Sequence, residues 1–384
     1  MMRKAFLSLG EPCPWFTARS TLNPTFHFDT TAGRYNVLCF FGSAANPASR
    51  RILDDINALH AATNFFDVTN FLFTGVSIDP ADEQQQRVRQ EFDSVRWFWD
   101  FDLEISRQFG ADHGASVGDP TLAGYRPHTI VLDERLRTLK VFPFDDQPET
   151  YVARLVTYLN ELPRVGRPVP ANVQAPILIV PRIFEPELCR RLINYYEQKG
   201  GVDSGFMRDV NGKTVGLLDY SHKRRCDCDI EDEALRRSCM VRIHDRLAPE
   251  IKKAFQFNAT RMERYIVACY DANTGDHFRA HRDNTTKGTA HRCFAVSLVL
   301  NTGEFEGGNV RFPEYGPYLY APPAGGACVF SCSLLHEATP VTSGRRFVFL
   351  PFLYDNAAAK VREQNLGFIS DEPARQLNDV TGQV

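Results

Sequence analysis

The sequence predicts two domains, an α/β domain in the first half and an all-β sandwich or barrel with helices on its outside in the second. Three observations carry this. The chain is 384 residues long, more than one hydrophobic core comfortably serves. The stretch "ELPRVGRPVPANVQAP" at 161–176 combines proline and glycine with low periodicity, the composition of an interdomain connector. Strand-like and helix-like runs alternate before that seam, whereas from Glu263 onward short strands follow one another between turn signals.

Each element has its own signature. "YNVLCFF" (35–41) reads as a buried strand, and "PASRRILDDINALHAAT" (47–63) spaces its apolar residues as a helix does. "NFLFTGVSI" (70–78) is a second strand, and "DPADEQQQRVRQEF" (79–92) reads as a helix capped by Asp79. "HTIVLD" (128–133) and "LKVFP" (139–143) form a hairpin-like pair, and the helix "ETYVARLVTYLNEL" (149–162) closes the half. Beyond the seam, "FEPELCRRLINYYEQKG" (184–200) is a helix stopped by Gly200–Gly201, and 232–255 continues as one or two long helices. The strands "RYIVACY", "HFRAH", "RCFAVSLVLN", "GGNVRFP", "YLYAPP", "GACVFS" and "RFVFLPFLY" then give the sandwich or barrel.

Composition excludes several classes. With 43% hydrophobic and 24% charged residues the chain is an ordinary globular protein, and a net charge of -3 gives no nucleic-acid footprint. The densest cationic patch, "HKRR" at 222–225, reads as a solvated face. No apolar run approaches the ~18 residues of a membrane span, and the N-terminus lacks the apolar core of a signal peptide. A cytoplasmic protein without membrane or nucleic-acid partners is expected. The ten cysteines lack regular spacing and read as reduced thiols, Cys226, Cys228 and Cys239 included.

The chemistry concentrates in the second half. His281 and Asp283 stand two apart at a strand end, a spacing that sends both side chains to one face. His336 follows several strands later and Arg346 ten positions beyond it. Two imidazoles and one carboxylate are the facial ligand set for non-heme Fe(II), leaving positions open for substrate and dioxygen. An arginine can grip a dicarboxylate through its fork, which points to 2-oxoglutarate. An H-x-D pair alone is a weak signal. The joint order is what weighs: H-x-D, then "GGNVRF", "LLH", "PVTSG" and a basic pair.

That order resembles the prolyl-4-hydroxylase-type Fe(II)/2-oxoglutarate oxygenases, including their oxygen-sensing branch, over residues 177–355 and most strongly over 263–354. The resemblance implies a double-stranded β-helix (jelly roll) with flanking helices. It implies iron on His281, Asp283 and His336, and the distal carboxylate of 2-oxoglutarate on Arg346, with Arg345 the less favoured neighbour. "IVACYDANTGDHFRAHRDN" implies that Tyr270 reaches 2-oxoglutarate, "HRCFAVSLVLN" that Arg292 lies near the substrate, and "FLPFLYD" that Phe352 borders the target proline. Val299 and Leu350 depart from the tyrosine and threonine of the oxygen-sensing branch. Asp283 speaks against a halogenase, where the carboxylate gives way to halide.

The first half resembles the thioredoxin-like fold, its peroxiredoxin branch in particular, over roughly residues 6–163. The likeness rests on "LGEPCPWFTARS", "YNVLCFFGSAANPASRRIL", "GVSIDP" and "YRPHTIVLDERLRTLKVF". The family's P-x-x-x-T-x-x-C falls on Gly42, Asn46 and Ser49, while Arg126 sits at the family's arginine. Peroxide chemistry needs a thiolate, which serine cannot supply, so this half is expected to lack peroxidase activity. Cys13 and Cys39 are the nearest thiols.

The expected layout is therefore a peroxiredoxin-like domain at 1–165, a linker at 166–176, an oxygenase domain at 177–356 and a polar tail at 357–384. The expected reaction is hydroxylation of an unactivated C–H bond, with a protein or peptide side chain as substrate and proline the favoured target. Fe(II), 2-oxoglutarate and O2 are the implied cofactors, with ascorbate a further candidate. The first domain would dock substrate or form a homodimer. A small-molecule hydroxylase is the nearest rival. A thiol redox enzyme acting through Cys13 or Cys39 is an alternative of another class.

Overall fold

The computed structural model describes residues 6–145, 147–165, 174–370 and 375–376. Its contacts divide the chain into two compact units, Met1–Val169 and Pro170–Val384. Most of the expected linker, 166–173, lies outside the described residues, as do 371–374 and 377–384 of the expected tail. Among the described residues no helix is long and apolar enough to cross a membrane.

The first unit is built on a seven-stranded sheet in the order Phe26–His27, Thr17–Ser20, Val95–Trp99, Phe71–Ser77, Tyr35–Gly42, His128–Leu132, Thr138–Pro143. Tyr35–Gly42, Phe71–Ser77 and Val95–Trp99 run parallel, and the expected hairpin pairs antiparallel with Ile130 opposite Val141. Strand alternation divides the core between the two faces. Val37, Cys39 and Phe41 pack under the helices Pro47–Thr63 and Pro148–Glu161, while Leu38 and Phe40 meet Phe16, Phe28 and Phe109 on the other side.

One expectation is corrected here, and one strand went unread in the sequence. The helix read over 79–92 spans only Pro80–Gln84, because Gln86 turns left-handed at φ 51° and Arg87 folds back onto Asp79 and Asp82. The strand Val95–Trp99 carries no period-two pattern because it is covered on both faces, which hid it in the sequence.

The second unit is a jelly roll of two facing sheets, the expected architecture. The larger sheet includes Ile266–Asp271, Phe294–Val299, Ala327–Ser331, Val341–Phe349 and Phe352–Tyr354. The smaller has the order Lys223–Arg224, His277–His281, His336–Ala338, Val310–Arg311, Leu319–Tyr320. Pro186–Lys199 and the helical run from Glu233 to Phe255 cover the outer face of the larger sheet. There Leu188, Leu192, Cys239 and Ile251 pack on Val267, Leu298, Phe347 and Phe349. A π turn at Ile243–Leu247 interrupts that run just before Pro249, whose missing N–H cannot continue the ordinary ladder.

The expected polar tail contains regular structure among its described residues. Asn356–Asn365 is a helix capped by Asp355, which accepts from the Ala358 N–H at 2.8 Å, and Arg375–Gln376 pairs in parallel with Lys213–Leu218.

Candidate metal centre

Register brings the histidines together. His281 ends its strand directly opposite His336 on the adjacent antiparallel strand, so their rings lie 4.3 Å apart between centroids. Asp283 sits just beyond the strand end, its N–H held by the Cys332 carbonyl at 2.9 Å. Its Oδ1 is 3.5 Å from His281 Nε2 and its Oδ2 is 3.3 Å from His336 Nε2. One ligand atom from each of the three residues falls within 4.8 Å of the others, a spacing that fits a single metal ion.

The backbone fixes the tautomers. His281 Nδ1 lies 2.7 Å from the Arg279 carbonyl and His336 Nδ1 lies 3.0 Å from the Leu334 carbonyl. A carbonyl only accepts, so each Nδ1 carries the proton and each Nε2 presents its lone pair to the centre. Burial lowers the His336 pKa to about 4 against the opposing pull of Asp283, which keeps that ring neutral at pH 7. Burial alone would raise Asp283; the facing imidazoles and Arg292 outweigh it and hold the carboxyl below its ordinary range. Neutral imidazoles and an ionised carboxylate are the forms that coordinate a divalent ion.

On the larger sheet, Arg346 stands opposite Tyr270 in register, its guanidinium 5.1 Å from the ring centroid. Arg346 is 2% exposed, and its Nη2 donates to Ser297 Oγ at 3.0 Å. No carboxylate of a described residue pairs with it. A buried guanidinium whose side-chain partners, Ser297 and Tyr270, are both hydroxyls is incomplete without an anion. Gly308 keeps room for it: at φ 62°, a Cβ there would meet Arg346 Cδ at 2.7 Å. Alternation separates the basic pair, because Arg345 points outward to Glu197 at 2.6 Å.

His281, Asp283, His336, Ser297 and Arg346 line one cavity of about 420 Å³, within the range of small-ligand sites. Tyr270 is there, its hydroxyl accepting from Arg225 Nη1 at 3.3 Å. Arg292 and Phe352 also line it, the guanidinium 4.0 Å from the ring centroid, with Arg292 Nε on Glu263 at 2.7 Å. Leu350 faces the cavity, whereas Val299 packs in an apolar cluster with Val341 and Val348.

The "HKRR" reading is overturned for two of its residues. Lys223 and Arg225 are 4% and 5% exposed and line this cavity with His222, while Arg224 turns outward. Local charge density cannot distinguish a solvated face from a strand that closes a cavity. The signal lay in period two: Lys223, Arg225 and Asp227 alternate with residues of the opposite face. Gly308 and Ser297 were also missed, since neither carries chemistry by itself.

The thiols are disposed differently. Cys39 is fully buried, with its pKa raised by burial to about 12. Ser49, at the expected nucleophile position, is buried and donates to the Phe41 carbonyl at 2.7 Å. Cys13 is buried as well.

Residues 265–354 match the family model of the 2OG-Fe(II) oxygenase superfamily. Similar solved structures include a Pseudomonas putida prolyl-4-hydroxylase (18% identity, 48% of this chain and 94% of that one, TM-score 0.36). Another is a Trichoplax adhaerens prolyl hydroxylase in complex with a hypoxia inducible factor peptide fragment (16% identity, 58% and 97%, TM-score 0.38). The peroxidoxin BcpB from Mycobacterium tuberculosis is similar at 18% identity over 41% of this chain and 99% of that one, with a TM-score of 0.33.

Proposed function

We propose that this protein, which carries a 2OG-Fe(II) oxygenase domain at residues 265–354, hydroxylates an unactivated C–H bond in a protein or peptide side chain, with proline the favoured target. One observation carries the reading: three ligand atoms within 4.8 Å of one another share a cavity with a buried arginine that has no carboxylate partner. In this reading His281, Asp283 and His336 hold Fe(II), and Arg346 takes the distal carboxylate of 2-oxoglutarate.

The bound iron supplies the oxidation, in which R–H, O2 and 2-oxoglutarate become R–OH, succinate and CO2. The chain's own residues bind and orient. The carbonyls of Arg279 and Leu334 hold both imidazoles with Nε2 inward, and Asp283 supplies the negative charge that a divalent ion requires. Arg346 and Tyr270, paired across neighbouring strands, fix the cosubstrate from the opposite sheet. Arg292 and Phe352 border the substrate, and Leu350 gives that wall an apolar surface. Ascorbate supports turnover by keeping the iron ferrous. The N-terminal unit, with serine at the nucleophile position and buried thiols, serves as a platform for docking or dimerisation.

The test is succinate formation from 2-oxoglutarate with Fe(II) and ascorbate. Wild type is expected to turn over, and Asp283→Ala to lose roughly a hundredfold or more. Equal rates for the two proteins would sink the proposal. Mass spectrometry of cellular proteins for added oxygen then identifies the target residue.

A further inference from the structure

The cavity holds more positive charge than the proposed chemistry uses. A divalent iron, the Asp283 carboxylate, a 2-oxoglutarate dianion and Arg346 cancel one another, and Arg292 is balanced by Glu263 at 2.7 Å. Apart from the exposed Arg208 and from Arg282, which pairs with Glu314, Lys223, Arg225 and Arg264 remain, all lining the cavity, with one carboxylate among them. That carboxylate, Asp227, takes Arg225 through both oxygens at 2.7 Å and Arg264 Nη2 at 3.0 Å, and it does not itself line the cavity.

Lys223 has no carboxylate partner among the described residues, and its burial, with Arg225 nearby, lowers its pKa well below the ordinary lysine range, so an incoming anion would be what holds it charged. The Lys223 Nζ donates to Ser204 Oγ at 2.7 Å and to the Gly205 carbonyl, both neutral. Its Nζ sits 5.0 Å from the Phe278 ring centroid, and that ring stacks on His281 at 3.5 Å, which places Lys223 on the wall beside the metal ligands. Arg264 adopts a left-handed backbone at φ 64°, a conformation that a non-glycine residue keeps only where its surroundings impose it. The acids lining the cavity are committed elsewhere: Asp209 is exposed and bonded to Thr214, Glu337 pairs with Arg311, and Asp283 faces the two histidines. Buried cations without counter-charge are costly, and an anion in the cavity would relieve them.

Resting on the oxygenase reading above, we propose that the substrate carries a carboxylate near the residue or ring that is hydroxylated, and that Lys223, backed by Arg225 and Arg264, receives it. Two sources share this chemistry: an acidic residue flanking the target within a peptide, and the free carboxylate of a small amino or imino acid. Lys223 is a point charge on a flexible stem and suits a single carboxylate oxygen.

The test uses the full chain under nitrogen with Fe(II) and 2-oxoglutarate, so that binding is read without turnover. The probes are a terminally blocked pentapeptide with proline between glutamate and aspartate, its glutamine/asparagine counterpart, free L-proline and L-prolinamide. One acidic probe is expected to raise Tm and to bind on the order of thirtyfold more tightly than its neutral counterpart. Lys223→Met should erase that preference and Lys223→Arg should keep it; the probe that responds names the source.

Equal binding of acidic and neutral probes, or no Tm shift with any acidic probe, overturns the proposal. So does a Lys223→Met protein whose KM for 2-oxoglutarate rises as much as its Kd for the acidic probe, since the cluster would then serve the cosubstrate. Failure of the oxygenase reading shows separately, as absent succinate in air while the anaerobic Tm shift persists.

Discussion

Each unit gathers charged and polar side chains at the ends of its strands, and the two gatherings differ in what they leave unpaired. In the N-terminal unit the fully buried Asp82 accepts from the Ala44 N–H at 2.9 Å and Ser77 Oγ at 2.7 Å. Arg87 reaches both Asp79 and Asp82, and Ser43 donates to Asp79 at 2.7 Å. Even Ser49 has its hydroxyl on a backbone carbonyl. In the C-terminal unit Arg346 has only hydroxyl partners, Lys223 has only neutral acceptors, and two imidazoles point their lone pairs at one carboxylate. The first arrangement is complete as it stands; the second needs a cation and anions to complete it. Buried polarity marks a ligand site when its bonding capacity is left over, and a structural network when it is not.

The sharpest way to break that comparison is to remove the incomplete member. Arg346→Gln is expected to raise the KM for 2-oxoglutarate by at least about thirtyfold. Arg345→Gln breaks a partly exposed pair with Glu197 and should change stability by no more than about 1 kcal/mol. If the two variants behave alike, the assignment of faces is wrong. Gly308→Ala, which crowds the Arg346 stem, should raise the same KM by a smaller factor.

Acid tests the centre from another side. His336 has its pKa lowered by burial from 6.5 to about 4, so the folded protein binds fewer protons than the unfolded chain between those values. Its contribution to stability is complete above pH 6.5, falls as pH drops toward 4 and then levels off, at a cost of about 3 kcal/mol. Urea unfolding of the chelator-treated protein from pH 7 to 4, compared with His336→Gln, measures it. A wild type no more acid-sensitive than the variant would contradict the neutral, buried ring.

In the N-terminal unit, Asp82→Ala strips the Ala44 N–H and Ser77 hydroxyl of their acceptor and should cost about 1–3 kcal/mol. Succinate formation at low temperature is expected to stay where it was, because this network supplies no ligand. The smallest effect belongs to Cys39→Ser: with the thiol raised to about 12, peroxide consumption should not change. A fall on that substitution would revive the thiol redox reading.

Some features were legible because they are local. Alternation along "SGRRFVF" sets Arg345 and Arg346 on opposite faces whatever the fold, and the strand runs of the second half need only composition and turns to be seen. Asp355 announces its helix by capping it, yet the polar composition that follows reads equally well as a tail. Val95–Trp99 stayed hidden because burial on both faces erases the alternation that betrays a strand.

The sequence by itself determined the fold class of each half, the chemical types at the centre and the face on which each strand residue lies, since these follow from backbone period and side-chain chemistry. Only the tertiary structure decided that His281 is paired with His336 and Tyr270 with Arg346, and that Lys223 and Arg225 are enclosed. Those facts depend on register between strands far apart in the chain and on which sheet covers which, and no local pattern encodes them.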